Sequence, residues 1–163
     1  MKFPVCDVCL KSGILCNACK SRMEKGEFKE SHMDLFKMMN SMMPKSVGDA
    51  RIKKVMEAYD LVIFVTDRES VPSIVRNGGP VLKNISKEID KPVRVIADAG
   101  NYREFLENVL FPVSVIAVNI VYAPEKEILK VIIPERSSLP VPEESLNEIM
   151  KREYGKEIIV ARG

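Results

Sequence analysis

All four cysteines of the chain lie within fourteen residues, in the pattern C-x2-C-x6-C-x2-C formed by Cys6, Cys9, Cys16 and Cys19. Each C-x2-C pair can direct two thiolates at one point, and the six residues between the pairs, with Gly13 available for a turn, can fold back as a short hairpin. Four converging thiolates form the closed tetrahedral site of one structural Zn²⁺ ion. Two disulfides or an iron–sulfur cluster would use the same ligands and stay as alternatives.

The cellular compartment that we expect is inferred from the N-terminus and from the length of the apolar runs. The first residues, MKFPVCDVC, contain no apolar segment typical of a secretory signal. No apolar run reaches the roughly 18 residues that cross a bilayer. We therefore expect a cytoplasmic protein with no membrane partner, and disulfides fit such a protein poorly.

The distribution of charge limits where a nucleic acid could bind. The formal net charge is +2. Residues 1–49 and residues 50–98 each carry two more basic than acidic residues, whereas residues 99–163 carry two more acidic than basic residues. A metal-bound tetrathiolate would bring the whole chain close to neutral. Non-specific coating of DNA, which depends on many phosphate contacts, is therefore excluded, and any contact with nucleic acid must be local.

The first series of predicted elements begins after the cysteines. We predict a helix over residues 31–43 capped by Ser31, a β-hairpin over residues 50–67 with a turn at Tyr59 and Asp60, and a strand over residues 92–98. Between the hairpin and the strand, the sequence predicts two short helices, over residues 71–75 and 80–89, around a glycine turn. One apolar stripe of the first helix is predicted to face the core: Leu35, Phe36, Met39, Met42 and Met43.

A second series follows in nearly the same order. We predict a helix over residues 101–111, a hairpin over residues 113–135 with a turn at Pro124 and Glu125, a helix over residues 143–154 ended by Gly155, and a strand over residues 157–162. The endings KEIDKPVRVIA and REYGKEIIVA lie about 64 residues apart. This spacing indicates two small α/β units in tandem.

The order helix, hairpin, two helices around a glycine turn, and strand resembles a type II KH domain, an RNA-binding fold. Three stretches carry the resemblance: PSIVRNGGPVLKNISKEIDKPVRVIAD, YREFLENVLFPVSVIAVNIV and EILKVIIPE. Together with the cysteine knuckles, they resemble the archaeal NusA-like proteins that carry a zinc ribbon. The resemblance implies an α+β fold with a four-cysteine zinc knuckle or ribbon over residues 1–26 and two tandem KH-like units of order α-β-β-α-α-β. The first unit would cover residues 27–99 and the second, degenerate one residues 100–163.

The resemblance also implies an RNA-binding loop. The family's G-x-x-G loop falls on Arg76, Asn77, Gly78 and Gly79. Residues without bulky side chains let a nucleic-acid backbone approach, and the N–H groups of the following helix point at it. Arg76 replaces the first glycine and could contact phosphate through its guanidinium. The remaining predicted RNA-binding residues are Lys83 and Lys87 on the following helix and Arg94 on the next strand.

The second unit lacks such a loop. Between its hairpin and its helix stands RSSLPVPEES, which contains two prolines and two glutamates but no glycine. Like charge would repel phosphate there. We therefore expect a structural or protein-facing copy.

These observations favour a non-catalytic protein that binds single-stranded RNA. The resemblance places it in transcription elongation or termination, or in ribosome-associated processes, with RNA polymerase or the ribosome as its partner. The alternative is a protein–protein interaction module on a KH scaffold, docking on polymerase or ribosome with weak or no RNA binding. An enzyme is not expected: every cysteine is committed to the knuckles, and the single histidine, His32, is expected at the surface or partly packed.

Overall fold

Two three-stranded sheets organise the chain in the computed structural model, which describes residues 1–163. The chain divides into two compact units. The first comprises Met1–Met56 and Val62–Asp98, and the second comprises Glu57–Leu61 and Ala99–Gly163. Helices and strands are both present throughout, so the predicted α+β class is confirmed.

The first unit begins with three helices. They are followed by a hairpin, a long helix and a final strand, in this order: α1 (Asp7–Ser12), α2 (Asn17–Glu24), α3 (Met33–Met42), β1 (Ile52–Ala58), β2 (Leu61–Thr66), α4 (Ser70–Ile89) and β3 (Val93–Ala97). The sheet order is β1-β2-β3, and β3 runs parallel to β2 with Val95 opposite Phe64. All six residues of β2 are buried, as its run of five apolar residues before Thr66 predicts for a central strand.

The predicted apolar stripe faces the core at four of its five members. Leu35, Phe36 and Met39 are buried, and Met43 is partly buried against the same core, whereas Met42 is 39% exposed near the end of the helix. Phe36 lies at the centre of the core of the first unit, where its ring centroid is 5.1 Å from that of Phe3 and 5.9 Å from that of Phe28.

Helix α4 departs most from the predicted elements. It continues for 20 residues through the segment in which the sequence predicts a glycine turn between two helices, so that prediction is wrong. Two glycines and a proline in a helix interior cost about 5 kcal/mol relative to alanine. Tertiary contacts offset this cost. Ile74 and Ile85, on either side of the segment, are fully buried, and Asn77 Nδ2 donates a hydrogen bond to Ser46 O at 3.1 Å.

The second unit repeats the order of elements found from α3 onward. Its elements are α5 (Tyr102–Leu110), β4 (Ala117–Ala123), β5 (Lys126–Ile133), α6 (Glu143–Tyr154) and β6 (Glu157–Arg162). The sheet order is β4-β5-β6, with β4 antiparallel and β6 parallel to β5. Both series are therefore α-β-β-α-β, one helix fewer than the predicted α-β-β-α-α-β. The turns predicted at Tyr59–Asp60 and Pro124–Glu125 are confirmed.

The core of the second unit lies between one face of its sheet and its two helices. Leu129, Val131 and Ile133 alternate along β5 and are fully buried. Residues from α5 and α6 complete the core: Phe105, Leu106, Val109, Leu146, Ile149 and Met150. In neither unit is a helix long and apolar enough to cross a membrane.

Candidate metal centre and basic helix face

The four cysteine side chains converge in the first unit. Their Sγ atoms all lie within 4.8 Å of one another, and none forms a disulfide. Bonds of 2.3 Å to one tetrahedral zinc ion would hold the sulfur atoms about 3.8 Å apart, which is close to this arrangement. The predicted ligand set is therefore confirmed as a cluster that can hold one metal ion.

The backbone around the cluster is helical. The hairpin predicted between the C-x2-C pairs is wrong: Cys6 is the N-cap of α1, Cys16 is the N-cap of α2, and Gly13 ends α1 with a φ of 77°. The two pairs contact each other reciprocally. Cys6 N–H donates to Cys19 Sγ at 3.3 Å, and Cys16 N–H donates to Cys9 Sγ at 3.1 Å.

The two N-cap cysteines favour the thiolate form. The backbone N–H of Cys19, followed by the side chains of Cys19 and Cys9, lowers the pKa of Cys16 to about 7. The backbone N–H of Cys9 likewise lowers the pKa of Cys6. Both thiols also lie at helix N-termini, where the helix dipole stabilises negative charge.

The other two cysteines favour the neutral thiol. Burial raises the pKa of Cys19. The N–H of Cys16 acts to lower the pKa of Cys9, but the Cys6 side chain and burial outweigh it and raise that pKa to about 12. A bound divalent cation would therefore displace protons mainly from Cys9 and Cys19, and its affinity would increase with pH.

The cluster belongs to the hydrophobic core of the first unit. Cys9 is 2% exposed and Cys19 is fully buried, and both are part of the same core cluster as Phe3, Phe28 and Phe36. Residues 1–26 thus share one core with α3. A metal bound by the cysteines would hold α1 and α2 against that core.

His32 is a buried structural residue, contrary to the surface or partly packed position expected from the sequence. It is 3% exposed. Its Nδ1 accepts a hydrogen bond from Lys29 N–H at 3.0 Å, and its ring centroid lies 6.4 Å from that of Phe36. The sequence offers no signal for this burial, because the residue lies in a 3₁₀ turn before α3, outside the apolar stripe.

The residues assigned to the predicted RNA-binding loop lie in the middle of α4. Gly78 is buried, and a Cβ atom there would lie 2.7 Å from Met43 Sδ. At Gly79 a Cβ atom would meet nothing within 4 Å. The glycine at 78 therefore serves packing against the residues after α3, and the predicted loop is not present.

The continuous helix brings three predicted residues onto one face. Arg76, Lys83 and Lys87 are separated by seven and four residues, so at 100° per residue they lie within about 40° of one another around the helix and span about 16 Å along it. All three are exposed, and no hydrogen bond or ion pair holds their side chains. Sequence reasoning missed this alignment because it divided the helix at the glycines.

Arg94 lies elsewhere. It is on β3, opposite Ile63, and its side chain is half-buried. Burial lowers the pKa of its guanidinium. Its assignment to an RNA-binding surface stays a prediction.

Comparisons with known proteins identify a fold only. No protein-family model matches the chain, and no curated protein matches it. A solved structure, the crystal structure of a protein named APE1850, is similar with a TM-score of 0.54 and 11% sequence identity, over 78% of this chain and 96% of that one. At this identity the likeness shows that the two proteins share a fold.

Proposed function

We propose that this chain is a non-catalytic RNA-binding protein that holds single-stranded RNA along the exposed face of α4. The observation that supports this proposal most directly is the alignment of three unpaired cations on one helix face, namely Arg76, Lys83 and Lys87. The cysteine cluster is compatible with the resemblance to archaeal NusA-like proteins that carry a zinc ribbon, whereas each series of elements has one helix fewer than the type II KH order. On that resemblance, the protein acts in transcription elongation or termination, or on the ribosome.

Unpaired cations matter because a phosphate contact gains most where the cation has no partner in the protein. Release of counterions from the nucleic acid supplies the binding free energy, and it scales with the number of phosphates neutralised. Three lysines of the second unit differ in this respect. Lys126, Lys151 and Lys156 all contact carboxylates, with Nζ–O distances of 3.0, 3.8 and 3.0 Å. This difference supports binding by the first unit.

We further propose that the cysteine cluster holds one structural Zn²⁺. Four sulfur donors leave no open coordination position, which suits a folding role rather than catalysis. An iron–sulfur cluster on the same ligands is the competing assignment. Metal analysis of protein purified without added metal separates the two. One zinc per chain in a colourless sample supports our proposal, and iron with visible absorption contradicts it.

The RNA-binding proposal is tested by the salt dependence of affinity. We expect binding of a single-stranded RNA oligonucleotide to weaken with salt, with log K falling by about 0.7 per phosphate contact for each tenfold increase in salt. Replacing Arg76, Lys83 and Lys87 by alanine should reduce that slope by about 2. The matched control replaces Lys126, Lys151 and Lys156, which removes the same charge and should leave the slope unchanged. Equal effects of the two triple variants would contradict the proposal.

A second candidate function is a protein-interaction module on the same scaffold. It is favoured by the packing of Gly78 on Met43, because a glycine buried in a helix cannot admit an RNA backbone. Wild-type protein that shows no salt-dependent RNA binding but still co-purifies with polymerase or ribosome would establish this alternative.

A further inference from the structure

Strand β4 is an edge strand that lacks the features by which proteins usually prevent a further strand from pairing with an edge. It lies at one end of the β4-β5-β6 sheet, and its sequence, Ala-Val-Asn-Ile-Val-Tyr-Ala, contains no charged residue and no proline. Its pairing with β5 is continuous over seven residues, so no bulge interrupts it. An edge strand presents unpaired N–H and C=O groups, and proteins usually block such edges with charges, prolines or bulges.

The other three edge strands of the molecule are protected. Strand β1, which has the same place in the first sheet as β4 in the second, contains Lys53, Lys54 and Glu57. Strand β3 contains Arg94, and β6 contains Glu157 and Arg162. The absence of charge is therefore particular to β4.

The free edge of β4 is open on both sides. Residues 119–122 are exposed one after another, with Ile120 at 44%, Val121 at 39% and Tyr122 at 77%. Successive residues of a strand point to opposite faces of the sheet. Exposure of consecutive residues thus means that neither face near this edge is covered, and a further strand has room to pair.

We propose that β4 pairs with β4 of a second copy of this chain, antiparallel about a two-fold axis through Ile120, to form a continuous six-stranded sheet. The sequence of β4 is complementary to itself in this register. Ile120 lies opposite its own copy and Val118 lies opposite Tyr122, which gives a row of aliphatic and aromatic cross-strand pairs on one face.

Charge does not oppose pairing with a second copy. Strand β4 contains no charged residue, so no like charges meet within the paired strands. A two-fold axis makes both halves of such an interface identical, as in most homodimers. The interface is small, so the dimer should be in equilibrium with monomer at micromolar concentrations.

The test is the oligomeric state of full-length protein, measured by sedimentation equilibrium from about 1 to 200 µM. We expect wild-type protein to shift from monomer to dimer across this range. Ile120→Lys and Ile120→Glu each place two like charges opposite each other on the axis, so each variant alone should be monomeric. An equimolar mixture of the two should recover the dimer, since opposite charges then meet.

The matched control is Ile159→Lys on β6, because Ile159 is an isoleucine with the same 44% exposure in a protected edge strand. It should dimerise as wild type does, and thermal unfolding of every variant checks that the fold is intact. Wild-type protein that stays monomeric throughout, dimers of Ile120→Lys alone, or a mixture that stays monomeric would overturn the proposal. A monomer that instead binds an extended peptide of another protein would likewise overturn it.

Discussion

Gly78 and Gly79 are neighbours in α4 but have different surroundings. A Cβ atom at 78 would lie within 2.7 Å of Met43 Sδ, whereas one at 79 would lie in open space. Neither glycine has a positive φ. Substitution at 79 therefore measures the intrinsic cost of glycine in a helix. Substitution at 78 measures in addition the need for a small residue next to Met43.

Replacement of Gly79 by alanine should stabilise the protein. Alanine is about 1 kcal/mol more favourable than glycine in a helix interior, and the new methyl group meets no atom beyond the neighbouring residues of the chain. Because residue 79 precedes Pro80, whose ring crowds a Cβ atom on the preceding helical residue, we expect a smaller rise in the free energy of unfolding, about 0.5 kcal/mol in urea denaturation. A decrease would show that crowding by Pro80 outweighs the helix propensity of alanine.

Replacement of Gly78 by alanine should stabilise the protein less than replacement of Gly79, because the Met43 side chain must move to admit a methyl group. We expect the two positions to be coupled. In a Met43→Ala background, Gly78→Ala should raise the free energy of unfolding by about 0.5–1 kcal/mol more than it does in wild type, because substitutions at contacting residues are usually not additive. A double-mutant cycle measures this difference, and simple additivity would show that the contact is unimportant.

At the scale of elements, the strands and turns were predictable because their signals are local. Strand β2 is a run of apolar, mostly β-branched residues, and Pro124 with Glu125 marks the turn between β4 and β5. The cysteine ligands were predictable for the same reason, since their spacing alone brings the thiolates together. Their helical scaffold was not, because Cys6 and Cys16 are unusual N-caps.

Helix α4 could not be predicted from local signals. Gly78, Gly79 and Pro80 all disfavour a helix interior, and only contacts far away in sequence reverse that preference. Ser73 Oγ donates to Val47 O at 3.0 Å, and Asn77 reaches Ser46 in the same loop. These partners lie 26 and 31 residues away. The candidate RNA-binding face depends on this continuous helix, so the alignment of its cations could not be predicted from the sequence either.

Strand β6 is held at its start by charge. Glu157 Oε2 lies 3.0 Å from Lys126 Nζ on β5, and Oε1 lies 3.8 Å from Lys151 Nζ on α6. The hydrogen bond and the charge of Lys126, with a smaller contribution from Lys151, lower the pKa of Glu157 below its ordinary value of 4.5. A lowered pKa stabilises the folded state above the unfolded pKa, and this contribution is lost as pH falls through the folded pKa.

Glu157→Gln should therefore reduce stability at pH 7 and lose its effect in acid. We expect the difference in free energy of unfolding between wild type and variant to shrink as pH falls from about 6 to 3. Denaturant unfolding at several pH values measures it. Glu135→Gln is the control, because Glu135 is exposed and forms no ion pair. A difference that stays constant with pH would show that the Glu157 carboxylate is not stabilised by its lysines.

At the scale of the whole molecule, the two units differ in the functional groups that they contain. The first contains the cysteine cluster and the unpaired cations of α4. In the second, the lysines near the β4–β5 turn are paired with Glu127 and Glu157, and its distinctive surface is the uncharged edge of β4. This difference is the basis of our two proposals, that the first unit binds RNA and that β4 of the second unit pairs with a second copy of the chain.

Metal removal should act on the first unit alone. Cys9 and Cys19 lie in the same core as Phe36 of α3, so loss of the metal would remove the link that holds α1 and α2 against that core. No metal ligand lies in the core of the second unit, which is built from residues such as Leu129 and Leu146. Structural zinc sites contribute directly to folding free energy.

Hydrogen exchange measured by mass spectrometry resolves the two units in one experiment. After a strong chelator is added, we expect peptides from α1, α2 and α3 to exchange at least about tenfold faster, the equivalent of roughly 1.4 kcal/mol of lost local stability. Peptides from β5 and α6 should keep their protection. A variant with all four cysteines replaced by serine is the control, since it should not respond to chelator or to added zinc. Equal loss of protection in both units would show that the metal stabilises the whole chain as one cooperative structure.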